Sequence, residues 1–528
     1  MEKTILFRQS AKRVTNFIQF NFTREVHMKK KIVSVLLTSV LVASCLAGCG
    51  GGDSAPADSA SSSATAETPS AASTEEKVGA QITVDKSATD NVSVEGDYSG
   101  ADLTVFIYAQ DHEKTVYQTL IDKFMETTGA NVTFEVTTAD EYGQKILAYK
   151  AANDMPDIFY VGPDTVAANV DDGYVLPLDE YVPEETIADL WPAITTAYRY
   201  DGKEAGKGSL YCLPKDLSTF AFAYNKTLFD AAEVEYPDPE NPYTWEEFLE
   251  VCGKLTIDRD GDGEIDQWGC ANALQWALDA FIYTNGGHFL NEDYTQVVID
   301  GQKEFVDAFQ YFADLTCKYN VTPTVEQDTA LGGYQRWLDG QIAFYACGTW
   351  DVGAFMDENT FPYDWGLCAW PTGSTGVSMT RNGSVGFAVS ADTQYPEAAA
   401  ALITLFSTDL EGQRVLSGET TGASLQIPNT MSYAKGDFKD RIADGTIPYG
   451  ENVDVIFNYI EGTDKYEGIF VETTYTYNAD WWNEFLSGGY EYVLTGEKTA
   501  AEYCAEVQPA MQAALDNANE MKAAASGQ

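Results

Sequence analysis

The stretch from Leu103 to Val161 leaves this chain few folds to choose from. Leu103-Thr-Val-Phe-Ile-Tyr108 is an apolar run of strand length. Asp111 stands where a helix N-cap belongs, and Leu120, Ile121 and Phe124 continue a helical spacing behind it. Asn131 to Val136 reads as a second strand, Asp140 to Asn153 as a second helix, and Pro156 to Val161 as a third strand. Strand, helix, strand, helix, strand at this spacing predicts an α/β layer on a parallel sheet with right-handed crossovers. Ligands of such sheets sit beyond the carboxyl ends of the strands. Asp111 and His112 after the first strand, and Tyr160 and Asp164 at the end of the third, are therefore expected beside a cleft.

The same order of segments continues along the chain. Tyr142-Gly-Gln-Lys145, Pro156-Asp-Ile-Phe159, Gly173-Tyr-Val-Leu-Pro-Leu-Asp179, Leu210-Tyr-Cys-Leu-Pro214, Tyr224-Asn-Lys-Thr-Leu-Phe229, Thr244-Trp-Glu-Glu-Phe248, Trp337-Leu-Asp-Gly-Gln-Ile-Ala-Phe-Tyr345 and Gly348-Thr-Trp350 stand in register. Together they resemble the extracellular solute-binding proteins of ABC sugar importers, the maltose-binding-protein family. The resemblance implies a periplasmic-binding-protein-like α/β fold of type II, with two lobes joined by hinge crossovers and the substrate held between them. It divides the body into residues 101–217 with 386–430, and 218–385 with 431–528. It also implies a monomer that captures a carbohydrate, expected to be an oligosaccharide, and delivers it to the permease subunits of an ABC transporter.

Several site residues follow from the same resemblance. Trp350 stands where the family places a stacking tryptophan, Trp276 lies in a region that lines the cleft in relatives, and Arg381 with Asn382 falls at the hinge. Asp216 approximates a family acidic position, for which Ser218 competes. Trp481 and Trp482 are adjacent, so on a helix they point in different directions and one of them is expected to face the ligand. Trp245 and Trp337 sit inside helical patterns and are expected in the core. The chemistry is coherent, because a sugar offers hydroxyls and an apolar C–H face and so requires aromatic platforms beside carboxylates and amides.

The N-terminal part carries an address. Met28-Lys-Lys-Lys31 precedes an uncharged apolar run too short to span a bilayer comfortably, which ends in Leu46-Ala-Gly-Cys49. This resembles the bacterial lipobox, and the resemblance implies cleavage before Cys49 and its acylation, with palmitate among the chains, to give a stable membrane anchor. Residues 1–27 precede a complete signal peptide (28–48) and read as an early start. Residues 49–100, rich in Gly, Ser, Ala and Thr, read as a flexible tether. Residues 1–48 hold eight Lys/Arg and two Asp/Glu, so the remainder has 24 basic against 79 acidic residues, a formal charge of −55. Nucleic acid is excluded as a partner by such a field, and a neutral or cationic ligand fits.

Asp258-Arg-Asp260-Gly-Asp262-Gly-Glu264-Ile-Asp266 follows the calcium-loop pattern, with carboxylates at positions 1, 3 and 5 and glycine at 6. Position 12, where a bidentate Glu belongs, is Gly269. Either another segment supplies that carboxylate to a structural Ca2+, or the loop is an acidic turn; no other cofactor is expected. The body holds seven cysteines without a Cys-x-x-Cys pair, which predicts mostly buried thiols. No enzyme is expected, since Gly-x-Ser-x-Gly, His-Glu-x-x-His and a phosphate loop are all missing and there are three histidines. A glycoside hydrolase needs only two suitably spaced carboxylates, so it stays as an alternative, alongside a binding protein for a peptide or polyamine.

Overall fold

The computed structural model describes residues 81–83, 93–95, 97–271, 275–419 and 426–525. The signal peptide, Cys49 and most of the tether lie outside the described residues. In chain order the main elements begin with strand β1 (Asp102–Tyr108), helix α1 (Asp111–Thr128), β2 (Asn131–Thr137), α2 (Ala139–Ala152) and β3 (Ile158–Val161). Then come β4 (Cys212–Pro214), β5 (Ser218–Asn225), α3 (Trp245–Lys254), β6 (Trp268–Ala271), α4 (Gln275–Thr284) and α5 (Lys303–Cys317). Strands β7 (Ile342–Gly348), β8 (Trp365–Cys368), β9 (Ser378–Gly383) and β10 (Gly386–Val389) precede helix α6 (Pro396–Thr408). The chain ends through β11 (Tyr466–Ile469), α7 (Asp480–Ser487) and α8 (Ala500–Ala525), the last with Pro509 inside it.

Two sheets result, one per lobe. The first has the order β2-β1-β3-β10-β4. Strand β1 runs parallel to β2 and β3, as the spacing predicts, whereas β10 is antiparallel to both β3 and β4. Strand β4 leaves this lobe and β10 re-enters it, so the two necessarily run in opposite senses, and the sheet is mixed rather than all-parallel. Leu103, Val105 and Ile107 are fully buried on one face of β1 and Phe106 on the other, which is the pattern of a strand covered on both sides.

The second sheet has the order β6-β7-β5-β9-β11, with β8 also pairing β5. All eight residues of β5 are buried. The Phe222 ring stacks on Trp370 at 4.6 Å and on Phe344 at 5.2 Å, so aromatic packing holds the centre of this lobe. Trp337 is fully buried between Phe361 and Tyr345, whereas Trp245 is half-buried and packs against the core, stacking on Tyr311 at 4.5 Å. Thr244 and Glu247 form the capping box that starts α3.

Two expectations shift. Asp111 is not the N-cap of α1; Gln110 takes that place, and Glu113 accepts its N–H at 2.8 Å. The folded part also begins before residue 101. Residues Gln81–Thr83 and Ser93–Glu95 pair as an antiparallel ribbon, and Tyr98 is buried with its ring against Phe124. The surrounding Ser, Ala and Gly content hides these short β-branched segments from a reading based on average composition.

The passages between lobes run side by side. The first spans Lys215–Leu217 between β4 and β5, and the return spans Ser384–Val385 between β9 and β10. Ile427 bridges Leu217, and the Asn429 amide donates to the carbonyls of Pro214, Lys215 and Ser407. The seven body cysteines are free thiols, six of them buried. Among the described residues no helix is long and apolar enough to cross a membrane.

Candidate functional site

Because β1, β3 and β4 all point their carboxyl ends at the lobe junction, the loops that follow them meet the hinge there. A cavity of about 560 Å3 opens at this place, lined from the first lobe by Tyr108, Gln110, Glu113, Lys215 and Asp216. Ser218, Phe220, Trp350 and Arg381 line it from the second lobe, with Ser384 between them. That volume accommodates a few sugar-sized rings.

Its floor is an ion cluster. The Lys215 ammonium lies 2.7 Å from Glu113 and 3.0 Å from Asp216, with all three groups buried. Glu113 also accepts from the Gln110 N–H at 2.8 Å and the Gln426 amide at 2.9 Å. Asp216 takes the Val385 N–H on its other oxygen, while its own carbonyl accepts the Ser384 hydroxyl. Burial would lower the Lys215 pKa, yet the charges of Asp216 and Glu113 prevail and hold it well above its ordinary value. The cluster thus ties α1 to every hinge passage. Asp216 retains lone pairs for a ligand hydroxyl, but its first duty is structural.

Trp350 forms one wall. It sits half-buried in a short turn after β7, with its ring edge-on to Phe220 at 5.1 Å. Arg381 also lines a smaller neighbouring chamber of about 110 Å3. Asp164, Asp279, Tyr283, Glu472, Trp481 and Trp482 line the chamber. Arg381 donates to Asp279 Oδ2 at 3.2 Å and lies over the Phe220 ring. Burial pushes the Asp279 carboxyl up to about 7, and it raises that of Asp164 as well. Trp481 is almost wholly buried and donates its indole N–H to Thr476, whereas Trp482 is half-buried and meets Phe289 edge-on at 4.8 Å.

The structure therefore gathers Asp164, Asp216, Trp350, Arg381, Trp481 and Trp482 around one junction. Asp111 is left out: it is an exposed residue of the first turn of α1, and its neighbours Gln110 and Glu113 line the cavity instead. Tyr160 is buried within the first lobe among Tyr108, Tyr142 and Phe387, because β3 turns this side chain toward the core. Trp276 falls on α4, but its side chain lies outside the described residues. Sequence reading missed Lys215, Asp279 and Glu472. Asp279 had a legible signal, as the one charge in the apolar helix Gln275–Thr284.

In the acidic loop, oxygens of Asp258, Asp260 and Asp262 lie within 4.8 Å of one another. Gly261 and Gly263, at φ +78° and +99°, allow the tight turns, and their N–H groups donate to Asp258. Asp266 instead accepts the Arg259 N–H, Glu264 is exposed, and Gly269 sits in β6 with no carboxylate to give. Three converging hard oxygens fit a calcium ion, but the remaining positions do not complete its shell from this loop alone.

Two α/β lobes with a ligand-sized cavity at their junction define a solute-binding protein. A model of the bacterial extracellular solute-binding protein family matches residues 109–409, more than half of the chain, and the chain belongs to that family. It is 24% identical over 268 residues to a maltotriose-binding protein of Pyrococcus abyssi, which covers 50% of this chain and 52% of that protein. The chain thus spans about half the length of this curated relative. An ABC substrate-binding protein from Listeria monocytogenes, solved with cycloalternan, shares the fold with a TM-score of 0.64 at 20% identity, over 78% of this chain and 98% of that one. A cyclic alpha-maltosyl-1,6-maltose binding protein from Arthrobacter globiformis does so with a TM-score of 0.62 at 21% identity, over 79% and 99%.

Proposed function

We propose that this protein is a lipid-anchored carrier on the outer face of the cell membrane that captures an oligosaccharide between its lobes and hands it to an ABC permease. The observation that carries the reading is the junction cavity, where tryptophan and phenylalanine rings from one lobe face buried amide and carboxylate groups from the other. Relatives named for maltotriose and for cyclic maltosides support a saccharide as the ligand. Binding, rather than hydrolysis, suits a floor whose two carboxylates are both engaged by Lys215.

A thermal-shift screen against mono- and oligosaccharides tests this. A ligand at a hundredfold over its Kd stabilises by about 2.7 kcal/mol, and it is expected to be recovered intact. Release of reducing sugar would identify a hydrolase instead. For the ligand so found, Trp350→Ala is expected to weaken binding at least about tenfold, or roughly 1.4 kcal/mol, because the stacking face is lost. Calorimetric titration measures that loss. The melting temperature without ligand hardly moves, since Trp350 is only half-buried. A sharp fall in stability with affinity intact would make Trp350 a structural residue.

The anchor rests on Leu46-Ala-Gly-Cys49. Changing Cys49 to Ala is expected to move the protein from the membrane fraction into the medium or to block its processing, as fractionation and immunoblotting show. The acidic loop is proposed to hold Ca2+ on Asp258, Asp260 and Asp262, whose mutual repulsion a cation relieves. EGTA then lowers the melting temperature, calcium restores it, and Asp260→Ala abolishes the response. A protein indifferent to EGTA has only an acidic turn.

A further inference from the structure

The chamber lined by Arg381 holds more acidic than basic groups. Three carboxylates, Asp164, Asp279 and Glu472, face it with one guanidinium, that of Arg381. Glu472 is provided for: the Tyr283 hydroxyl donates at 2.6 Å, the Phe289 N–H at 3.2 Å, and the His288 ring lies 3.4 Å away on its outer side. Asp279 is not. It is 1% exposed, its Oδ2 takes the Arg381 N–H, and its Oδ1 has no partner among the described residues. The Arg381 Nε–H likewise lacks an acceptor among the described residues. An unmet buried carboxylate oxygen is costly, and proteins retain such a group where a ligand completes it. The rest of the wall combines the aromatic rings of Tyr283, Phe289, Trp481 and Trp482 with Val471, Thr473 and Ala479. Ring faces beside carboxylates in a small space attract a cation more than a neutral group.

We propose that the captured saccharide is an amino sugar, with its ammonium group in this chamber donating to Asp279 Oδ1 and a neighbouring hydroxyl oxygen accepting from Arg381 Nε. This rests on the carbohydrate reading above and narrows it to a class. A neutral sugar could give Asp279 a hydroxyl hydrogen, yet it would leave in place the penalty that burial sets on the ionised carboxylate. An ammonium removes it. The volume of about 110 Å3 admits one substituted ring edge, not an extended polyamine or peptide. The formal charge of −49 draws a cationic ligand in the same direction.

Matched sets of saccharides test the proposal. Neutral gluco-, galacto- and manno-oligosaccharides, their 2-amino-2-deoxy counterparts and the N-acetylated forms of the latter are titrated into the full-length protein, with tryptophan fluorescence as the readout. The amino form of the ligand is expected to bind at least about tenfold tighter than its neutral partner. N-acetylation, which keeps the nitrogen but removes its charge, cancels that advantage. In Asp279→Asn the ratio of amino to neutral affinity falls toward one, whatever happens to either affinity alone. A neutral sugar that binds as well as its amino form overturns this proposal and leaves the carbohydrate reading standing. If no saccharide of any kind binds, both fall. A full preference retained by folded Asp279→Asn also overturns it, and the N-acetyl comparison on the unaltered protein decides the matter should that variant fail to fold.

Discussion

Lys215→Met is expected to destabilise the protein by about 3–5 kcal/mol, the usual consequence of removing one partner from a buried ion pair. Methionine fills the space but leaves Glu113 and Asp216 without a cation, and both are buried. The loss should depend on pH in a definite direction. Burial by itself raises the Glu113 pKa, but the Lys215 charge and hydrogen bond, with the Gln110 N–H and the Gln426 amide, carry it below the ordinary value. A carboxylate with a depressed folded pKa contributes stability above its unfolded pKa and loses it as pH falls through the folded one. Without Lys215 burial dominates, so Glu113 becomes a penalty at neutral pH that eases as it takes up a proton. Urea denaturation at about pH 4 and about pH 7 should therefore show the gap between wild type and variant widening toward neutrality. A gap that is the same at both values would mean that Lys215 acts through packing alone.

Trp337→Ala is expected to cost a further case of about 3–5 kcal/mol, this time through a cavity rather than a charge. The indole is fully buried between the rings of Phe361, at 4.9 Å, and Tyr345, at 5.6 Å, with Phe355 at its side. Its indole N–H has no partner among the described residues, so the ring is held there by contact and stacking. Trp337→Phe should accordingly lose much less than Trp337→Ala, since it keeps an aromatic surface and removes an unmet donor. Equilibrium denaturation of the pair checks this. Equal losses from both would show that the full indole shape is required. Neither change touches the junction cavity, so affinity for the saccharide should survive in whatever fraction remains folded.

The linear sequence determined the alternation of strands and helices from Leu103 to Val161, because apolar spacing acts over a few residues and reads directly from the chain. It also determined the capping box at Thr244, the core position of Trp337 and the convergence of Asp258, Asp260 and Asp262, all of which are local. Through a shared order of segments it pointed to the family. What it left undecided lies between segments far apart. Only the tertiary structure put Lys215 between Glu113 and Asp216, and Gln426 beside them, since these contacts join residues separated by up to 313 positions. The folded chain also turned Tyr160 inward, and it set Gln110 rather than Asp111 at the helix start. Asp279 shows the division most plainly. Its place in an apolar helix was legible, but that one of its oxygens meets Arg381 and the other faces an aromatic chamber depends on how α4, β9 and the segment around Glu472 pack together, which no local pattern encodes.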